Sequence, residues 1–304
     1  MNVRAASQQT TTPATKAAMI VLSAGMHSSI QDIGRLGLKK WGVPRGGVMD
    51  RSAFLAVNNI LGNPHTAAVV EILLGNVHFE CLCDTWVVLG GAGQGYVNGR
   101  EIRRMRTERL HKGDQLLIPQ PKQGVWSYLA IEGGWSADEW LGSRSAWPTA
   151  GMGRLLANND ILHRDTDYSL ELPNSVGARY MKELEPRRLD TSDIRVWRGP
   201  QWTRFSKSAQ KDFLNTPWKI SSRSSRAGYR LEGAAIEGPQ EQMISEPIMI
   251  GSIQIPPDGN PIVLLNDGPT IGGYPKLALI DDADLDRFCQ LAPGQQCAFL
   301  LQNA

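Results

Sequence analysis

No apolar run in this 304-residue sequence approaches the roughly 20 residues that a helix needs to cross a bilayer. The formal net charge is only +2, whereas a protein whose main ligand is nucleic acid has a clear basic excess. We therefore expect neither a membrane protein nor a nucleic-acid-binding one. Residues 1–18 lack the apolar core of a secretory signal, so we expect a disordered tail and a cytoplasmic protein.

Cysteine and histidine are scarce and poorly placed for chemistry. The four cysteines do not have zinc-site spacing, and Cys81 and Cys83 lie in an apparent strand, where we expect reduced side chains packed on one face. The five histidines never occur as a ligand pair, no Ser-His-Asp or Cys-His system is indicated, and no Walker-type phosphate loop is present. The sequence predicts no metal site.

Short strand patterns separated by glycine, proline and asparagine fill most of the chain, which favours a mainly β fold of barrels or sandwiches. A helix is predicted from Asp50, as N-cap, to Leu61, and shorter ones from Arg204 to Phe213 and from Asp282 to Gln290. The main predicted strands are Met19–Leu22, Val69–Leu74, Trp86–Leu89, Gln115–Ile118, Ser127–Ile131, Ile194–Trp197, Ile262–Leu265 and Cys297–Leu301.

The length fits two domains. The polar, proline-containing stretch 166–193 is the predicted linker between an N-terminal lobe, 19–165, and a C-terminal lobe, 194–304. Each lobe ends with a glycine turn and a final apolar strand, which suggests two related β-barrels.

Residues 251–276 form the most informative block, because an apolar strand leads into a turn rich in polar residues and glycine. Glycines allow backbone amides to approach a bound group closely, and a rigid strand positions a site. Within this block the candidates are Gln254, Asp267, Thr270, Gly272, Gly273, Tyr274 and Lys276.

Five other segments carry candidates, each with a structural alternative. Arg35 suits an anionic group, but Asp32 could simply pair with it. Gly46-Gly47 before Asp50 would place N–H groups at a helix start, where anions bind, although Asp50 is first of all a cap. The turn that contains Arg144 and Ser145 could hold an anion or be a surface turn.

The remaining two segments lie in the second half. In an alternating strand, Arg226 and Arg230 would share a face and could clamp a phosphate or carboxylate, although Glu232 would lie on that face too. Glu246 could be a base, or it could serve in a turn or ion pair.

Taken in order along the chain, these blocks resemble the KipA-like family, also called allophanate hydrolase subunit 2 or biotin-dependent carboxyltransferase subunit. The resemblance runs from about residue 19 to the end. It is carried by residues 31–37, 42–50, 58–63, 129–134, 141–145, 199–200, 228–233, 245–246, 253–262 and 270–276.

The resemblance implies two cyclophilin-like β-barrel lobes, and the partner it implies is a KipI-like B subunit. It is closest to the C subunit of 5-oxoprolinase, in which the B and C subunits together activate a lactam carbonyl with ATP and Mg²⁺ and a LamB/YcsF-like A subunit opens the ring. The substrate is then a small-molecule amide. The implied catalytic residues are Lys276, Arg230, Asp267 and Glu246, and the implied substrate- or anion-binding residues are Gln31, Asp32, Arg35, Asp50, Asn58, Arg144, Ser145, Arg226, Gln254, Thr270, Gly272, Gly273 and Tyr274.

The chain departs from the family pattern at three places. Gly93 replaces the aspartate of a usual Gly-Ala-Asp run, Ala146 replaces a threonine, and Gly268-Pro269 replaces a usual Arg-Gln. Two other functions remain open. One is the carboxyltransferase half of a biotin-dependent urea or amide carboxylase, with biotin carried on another chain, and the other is a non-catalytic antagonist of a KipI-like kinase inhibitor.

Overall fold

A computed structural model describes residues 16–165, 193–239 and 243–302. The fold is mainly β, as predicted. In the first half the strands are β1 Lys16–Ala24, β2 His27–Gln31, β3 Val69–Leu73, β4 Val77–Cys81, β5 Thr85–Gly91, β6 Gly95–Val97, β7 Arg100–Ile102, β8 Thr107–Leu110, β9 Gln115–Ile118, β10 Trp126–Ile131 and β11 Ile161–Arg164. In the second half they are β12 Asp193–Arg198, β13 Trp218–Ile220, β14 Gly228–Glu232, β15 Glu246–Pro247, β16 Ser252–Gln254, β17 Ile262–Leu264, β18 Ile271–Gly272, β19 Lys276–Ile280 and β20 Gln296–Leu301.

The strands of the first half form two antiparallel sheets. One has the order β11-β1-β4-β9-β6-β7 and the other the order β2-β3-β10-β5-β8. Apolar residues from both sheets, including Met19, Phe79 and Leu129, form one buried cluster. This core holds the ends of β2 and β3 at fixed positions, and the candidate site begins there.

The second half forms a closed barrel with the order β12-β19-β16-β17-β14-β13-β20. The barrel closes because β12 pairs in parallel with β20, with Ile194 opposite Phe299. The short strands β15 and β18 form a separate ribbon, in which Glu246 lies opposite Gly272.

Each α-helix begins directly after a residue whose side chain caps it. α1, Arg51–Leu61, begins after Asp50, whose Oδ1 accepts from Ala53 N at 2.9 Å, and ends at Gly62 in the left-handed conformation. α2, Lys207–Asn215, begins three residues later than predicted because Ser206 caps it, and residues 202–204 form a 3₁₀ turn instead. α3 covers Asp282–Cys289.

The two halves share a core. A single buried cluster contains residues of α1 and β10 together with the barrel interior. The Gln290 side chain crosses between the halves: Oε1 accepts from Val125 N at 3.0 Å and Trp126 N at 2.9 Å, and Nε2 donates to Asp50 Oδ2 at 2.8 Å. Side chains from both halves can therefore be held in one site.

Three expectations need correction or lie outside the description. β1 begins at Lys16, so residues 16–18 are strand and do not belong to a tail; residues 1–15 and the predicted linker residues 166–192 lie outside the described residues. β4 ends at Cys81, so Cys83 lies in a turn and does not share a strand face with it. Within the described residues, no helix has the length and apolarity that crossing a membrane requires.

Candidate functional site

Asp32, directly after β2, is a buried anchor for two loops. Its Oδ1 accepts from Gly34 N at 2.8 Å and from the hydroxyls of Ser143 and Ser145 at 2.6 Å, and its Oδ2 accepts from Arg144 N at 2.7 Å. Both carboxylate oxygens are thus occupied, and Asp32 forms no ion pair with Arg35 among the described residues. The 141–145 turn is consequently anchored to the interior through the buried Ser143 and Ser145, while Leu141 and Gly142 are exposed.

Arg35 is 1% exposed but only partly bonded. Its Nη2 donates to Ser145 O at 2.6 Å, while its Nε and Nη1 have no hydrogen-bond partner among the described residues. A Cβ at Gly46 would lie 3.1 Å from Arg35 Nη1 and 3.8 Å from Asp267 Oδ1, so glycine leaves room between these two charged groups. Burial lowers the pKa of Arg35, and the charges of Asp32 and Asp267 oppose that shift.

Arg226 is the centre of a second cluster, formed with Glu71, Asp267 and Tyr128. Its Nη1 pairs with Glu71 of β3, its Nε and Nη2 donate to Asp267 at 2.9 and 3.1 Å, and Nη2 also donates to Gly47 O at 2.6 Å. Tyr128 Oη donates to Glu71 Oε2 at 3.0 Å. Burial alone would lower the pKa of Arg226, but Glu71 and Asp267 raise it above its ordinary value, so Arg226 is a fixed positive charge.

Lys276 forms the third cluster with Glu246 and Gln201. The Lys276 ammonium is buried and pairs with Glu246, and Gln201 Nε2 donates to Glu246 Oε1 at 2.7 Å. Gln201 Oε1 accepts from Lys276 N at 2.9 Å. The hydrogen bond from Lys276 lowers the pKa of Glu246. Within the described residues, Glu246 is the one partner of the Lys276 ammonium. The Glu246 side chain is 36% exposed.

Lys276 lies next to Gln254 of β16 and next to Glu246 of the β15–β18 ribbon. Gln254 lies opposite Lys276 in the barrel, and its Nε2 reaches Tyr274 O at 3.5 Å. A Cβ at Gly272 would lie 3.1 Å from Gln254 Nε2 and 2.7 Å from a methyl of Ile248, so a larger residue there would displace the ends of these two side chains. Gly273 lies beside Ser245, and Thr270 is buried with its carbonyl bonded to Ile248 N at 2.9 Å.

The structure therefore brings most predicted residues into three neighbouring clusters. Gln31 is buried beside the Asp32 anchor, where its Nε2 donates to Ser29 Oγ at 3.0 Å and Ala146 O at 3.1 Å. Asp267 and Lys276 stand at the two ends of one segment, which links the Arg226 and Lys276 clusters. Lys276, the basic residue of this segment, carries an ammonium of the kind that can stabilise negative charge that develops on a carbonyl or phosphoryl oxygen.

Arg226 and Arg230 do not share a face, contrary to the sequence prediction. β14 begins only at Gly228, so the alternation that would align them does not exist; Arg226 is buried, whereas Arg230 is exposed on the barrel. Ser221 Oγ donates to Glu232 at 2.6 Å, so this carboxylate does not neutralise Arg226.

The helix start is not an open anion site. Asp286 of α3 accepts from Arg51 N and Ser52 N at 2.9 Å each, and Gly46 N donates to Asn266 O at 2.9 Å. The protein thus supplies its own anion at the helix start, and the Gly46 N–H is not available to a bound anion. Asp50 is confirmed as a cap, and burial together with Asp286 raises its pKa to about 6, which its hydrogen bonds oppose.

Two other predicted residues have structural partners. Asn58 is fully buried: its Nδ2 donates to Ala67 O at 2.9 Å and its Oδ1 accepts from Asn63 Nδ2 at 3.0 Å. Arg144 donates to Asp165 Oδ1 at 3.0 Å. Neither side chain joins the Arg226 or Lys276 cluster. The Asn58 amide and the Arg144 guanidinium both bind residues of the first half instead.

Glu71, Tyr128 and Gln201 belong to the site although the sequence analysis did not select them. Glu71 interrupts the apolar run Val69-Val70-Glu71-Ile72-Leu73, and a carboxylate inside a buried strand requires a charged partner. That interruption was a readable signal for Glu71. Tyr128 and Gln201 carry no comparable signal, since their roles depend on strands and loops distant in sequence.

The described residues contain no group of three or more His, Cys, Asp or Glu side chains that could hold a metal ion. If Mg²⁺ accompanies a nucleotide here, this part of the chain would have to share its coordination with phosphate oxygens, water or another chain.

Comparisons with known proteins agree with this architecture. The family described as carboxyltransferase domain, subdomain A and B, matches residues 41–301. The 5-oxoprolinase C subunit of Escherichia coli (strain K12) is 33% identical over 286 residues, covering 92% of this chain and 90% of the relative. Urea amidolyase of Lachancea kluyveri is 29% identical, and the match covers 92% of this chain but only 17% of that protein.

Two solved structures are also similar. The urea amidolyase of K. lactis has a TM-score of 0.87 at 28% identity, covering 95% of this chain and 19% of that one. TTHA0988 has a TM-score of 0.85 at 28% identity, covering 94% of this chain and 55% of that one. This chain thus spans about half of the TTHA0988 chain and about a fifth of the K. lactis urea amidolyase chain.

Proposed function

Because the chain belongs to the carboxyltransferase domain family, subdomain A and B, we propose that it is a subunit of an ATP-dependent 5-oxoprolinase that converts 5-oxoproline to glutamate. The observation that carries this proposal is the extent of the match to the 5-oxoprolinase C subunit, which extends over 90% of that protein. In the urea amidolyase relatives the same match is a small part of a much longer chain. The C subunit is therefore the relative that this chain matches over almost its whole length.

The chemistry of the site suits activation of an amide. An unstrained lactam carbonyl is a poor electrophile, and its activation by phosphoryl transfer places negative charge on oxygen. The Lys276 ammonium, held at the barrel wall by Glu246, would donate to that oxygen once Glu246 turns toward solvent. Arg226, bound to Glu71 and Asp267, would hold Asp267 in place at the start of the segment that leads to Lys276.

We also propose that the chain needs a partner, a KipI-like B subunit, and that the reaction is completed by a LamB/YcsF-like A subunit. TTHA0988, of which this chain covers 55%, is long enough to contain a second unit of similar size. Large apolar side chains are exposed on the segments around Lys276, namely Ile244, Met249, Ile271 and Tyr274. Exposed apolar groups that lie together on a surface are typical of a protein interface.

The test is glutamate release from 5-oxoproline by the chain combined with the A and B subunits, with and without ATP. We expect ATP-dependent turnover from the full assembly and none from this chain alone. Absence of turnover from an intact assembly would overturn the proposal.

Lys276→Ala should reduce turnover by about 100-fold or more, because removal of one donor to a developing oxyanion typically costs that much. Lys219→Ala is the matched control, since Lys219 is an exposed lysine on β13 of the same barrel. Co-purification of both variants with the B subunit would show that assembly is intact. Equal turnover of the two variants would mean that Lys276 takes no part in the reaction.

A second candidate is the carboxyltransferase half of a biotin-dependent urea or amide carboxylase. The similarity to the K. lactis urea amidolyase, with a TM-score of 0.87, favours it. Biotin would then have to arrive on another chain. ATP-independent transfer of a carboxyl group from carboxybiotin to urea, with no glutamate release from 5-oxoproline, would replace the first proposal by this one.

A further inference from the structure

Two polar side chains on the outer wall of the barrel, Lys276 of β19 and Gln254 of β16, are both buried. They lie opposite each other in the strand pairing, and each is 4% exposed. Their chain neighbours Leu277 and Ile253 belong to the apolar core cluster, and side chains next to each other on a strand point to opposite faces. Lys276 and Gln254 therefore point away from the barrel interior. Polar groups on an outer wall are buried only where another element covers them.

The element that covers these two side chains is the β15–β18 ribbon. Glu246 of β15 pairs with the Lys276 ammonium. Gly272 lies opposite Glu246 in the ribbon, and a Cβ there would lie 3.1 Å from Gln254 Nε2. The Lys276 nitrogen is buried, whereas the Glu246 side chain that pairs with it is partly exposed. The ribbon thus separates the ammonium from water.

The ribbon itself is a small element with little apolar contact. Each of its strands is two residues long, and among the described residues it forms a sheet separate from the barrel. Its inner side carries Ile248, which is buried, while Ile271 on its outer side is 61% exposed. A two-stranded ribbon is marginally stable alone, and segments with few buried apolar contacts are the first to open locally. The closed position therefore depends on a few contacts.

Glu246 is the polar contact that holds the ribbon closed. Its carboxylate pairs with Lys276 and accepts from Gln201 Nε2 at 2.7 Å. Gln201 also accepts from Lys276 N at 2.9 Å, so one amide side chain fixes both partners of the ion pair. Because the Glu246 side chain is partly exposed, water can replace its partners when the ribbon moves, and such a contact can be released without burying an unpaired carboxylate.

We propose that the β15–β18 ribbon is a lid over Lys276, that Glu246 is its latch, and that Lys276 meets the substrate only when the ribbon opens. The inference rests on the proposed role of Lys276 in activating the amide carbonyl. In the closed state the ammonium is paired with Glu246 and shielded from solvent, so the chain is autoinhibited. Opening removes Glu246 and Gly272 together, because the two residues are paired in one ribbon.

The test is acetylation of the full chain by limiting acetic anhydride, with the rate at each lysine measured by peptide mass spectrometry. Lys276 should react about tenfold or more slowly than Lys219, the exposed lysine on β13, because a buried amine reacts only through local opening. Ile248→Ala should speed the reaction of Lys276 by about tenfold or more, since loss of buried methyl groups destabilises the closed ribbon. Ile271→Ala is the matched control, because it makes the same change on the exposed side of the ribbon.

A second variant tests the latch without changing the apolar contact. Glu246→Ala should speed acetylation of Lys276, and it should also speed hydrogen exchange of the Ile248 amide, which donates to Thr270 O at 2.9 Å within the ribbon. Glu232→Ala, which removes an exposed carboxylate on β14 of the same barrel, is the control. The lid is thus tested even if Ile248→Ala lowers the stability of the whole chain.

Equal acetylation of Lys276 and Lys219 in the wild-type chain would overturn the lid, and so would equal rates at Lys276 in the Ile248 and Ile271 variants. Unchanged exchange of the Ile248 amide in Glu246→Ala would show that Glu246 covers the ammonium without holding the ribbon, which also overturns it. None of these measurements needs a partner subunit, ATP or turnover. Absence of turnover from the full assembly would therefore contradict the proposed reaction and leave the lid standing.

Discussion

At the scale of single residues, Glu71 and Arg226 join the two halves of the molecule through a buried ion pair. Glu71 is fully buried in β3, and Arg226 comes from the loop before β14. Two charges that are removed from water must be paired, because a single buried charge has no attraction to offset its desolvation cost. The same pair also fixes the position of Arg226, whose guanidinium binds Asp267.

Arg226→Met should lower the free energy of unfolding by about 3–5 kcal/mol, because it leaves the Glu71 carboxylate buried without its partner. Replacement of both residues, as Glu71→Gln with Arg226→Met, should recover part of that loss. Urea unfolding of wild type, both single variants and the double variant measures the coupling. Strictly additive losses would mean that the pair does not act as a unit.

The pKa of Asp50 near 6 predicts a pH-dependent stability. A carboxyl whose pKa is raised on folding is favoured in its protonated form, so its contribution is present below the unfolded pKa near 4 and is lost as pH rises toward 6. Asp50→Asn, which keeps a capping oxygen, should remove this decline. The stability of wild type relative to the variant should fall between pH 4 and 7 by on the order of 3 kcal/mol, as measured by chemical denaturation at each pH. Parallel pH profiles would contradict the assignment.

At the scale of elements, the loop between β2 and α1 depends on close backbone contacts. Gly47 has φ +81°, and a Cβ there would lie 2.8 Å from Gly34 N and 2.9 Å from Asp32 O. The carbonyl of Gly47 also accepts from Arg226. This one glycine therefore supports both the Asp32 anchor and the Arg226 cluster.

Gly47→Ala should destabilise the protein by several kcal/mol, because the methyl group meets fixed backbone atoms in addition to the usual cost of about 1–2 kcal/mol for positive φ. Gly42→Ala is the matched control, since Gly42 has φ +79° but nothing within 4 Å of its Cβ position. Thermal unfolding of the two variants compares them directly. Equal losses of stability in the two variants would mean that the positive φ alone, and not the contacts of the added methyl group, causes the destabilisation.

The elements were largely predictable, and the contacts between them were not. The strand Gln115–Ile118 was predicted to the residue, and the helix capped by Asp50 and ended by Gly62 was confirmed, because alternation and capping are local signals. Asp286 of α3, by contrast, accepts hydrogen bonds from the first two N–H groups of α1. That contact depends on how the two halves pack, which no local pattern encodes.

The candidate site shows the same division between local and distant signals. The block 251–276 was recognised from its glycines and polar residues, and it does hold Lys276 and Asp267. Arg230 was grouped with Arg226 on the assumption of a longer strand, and the structure separates them because β14 starts at Gly228. Gln201 was missed because it reaches Lys276 from a separate loop.

At the scale of the whole molecule, the halves are joined by a common apolar cluster and by buried polar contacts. Trp126 Nε1 of the first half donates to Tyr229 Oη of the second at 3.2 Å. The Arg226 site is therefore assembled only when both halves have folded against each other. The surface around Lys276 instead carries exposed apolar residues.

Ile244→Asp should weaken association with the B subunit roughly tenfold or more, because Ile244 is 90% exposed and a carboxylate in an apolar interface must be desolvated. Leu117→Asp, an exposed leucine on β9 of the first half, is the control. Co-purification and calorimetric titration with the B subunit measure the difference. Similar affinities for both variants would place the interface elsewhere.

The parallel pairing of β12 with β20 has a consequence for how the protein is made. The two strands that close the barrel are separated by ~100 residues, and a ribosome needs roughly 5–20 s to synthesise that length. During this time the hydrogen-bonding edge of β12 has no partner in the nascent chain, and an unpaired edge is a template for aggregation. The interval between synthesis of β12 and synthesis of β20 is thus a period in which we expect the nascent chain to be prone to misfolding and to bind chaperones.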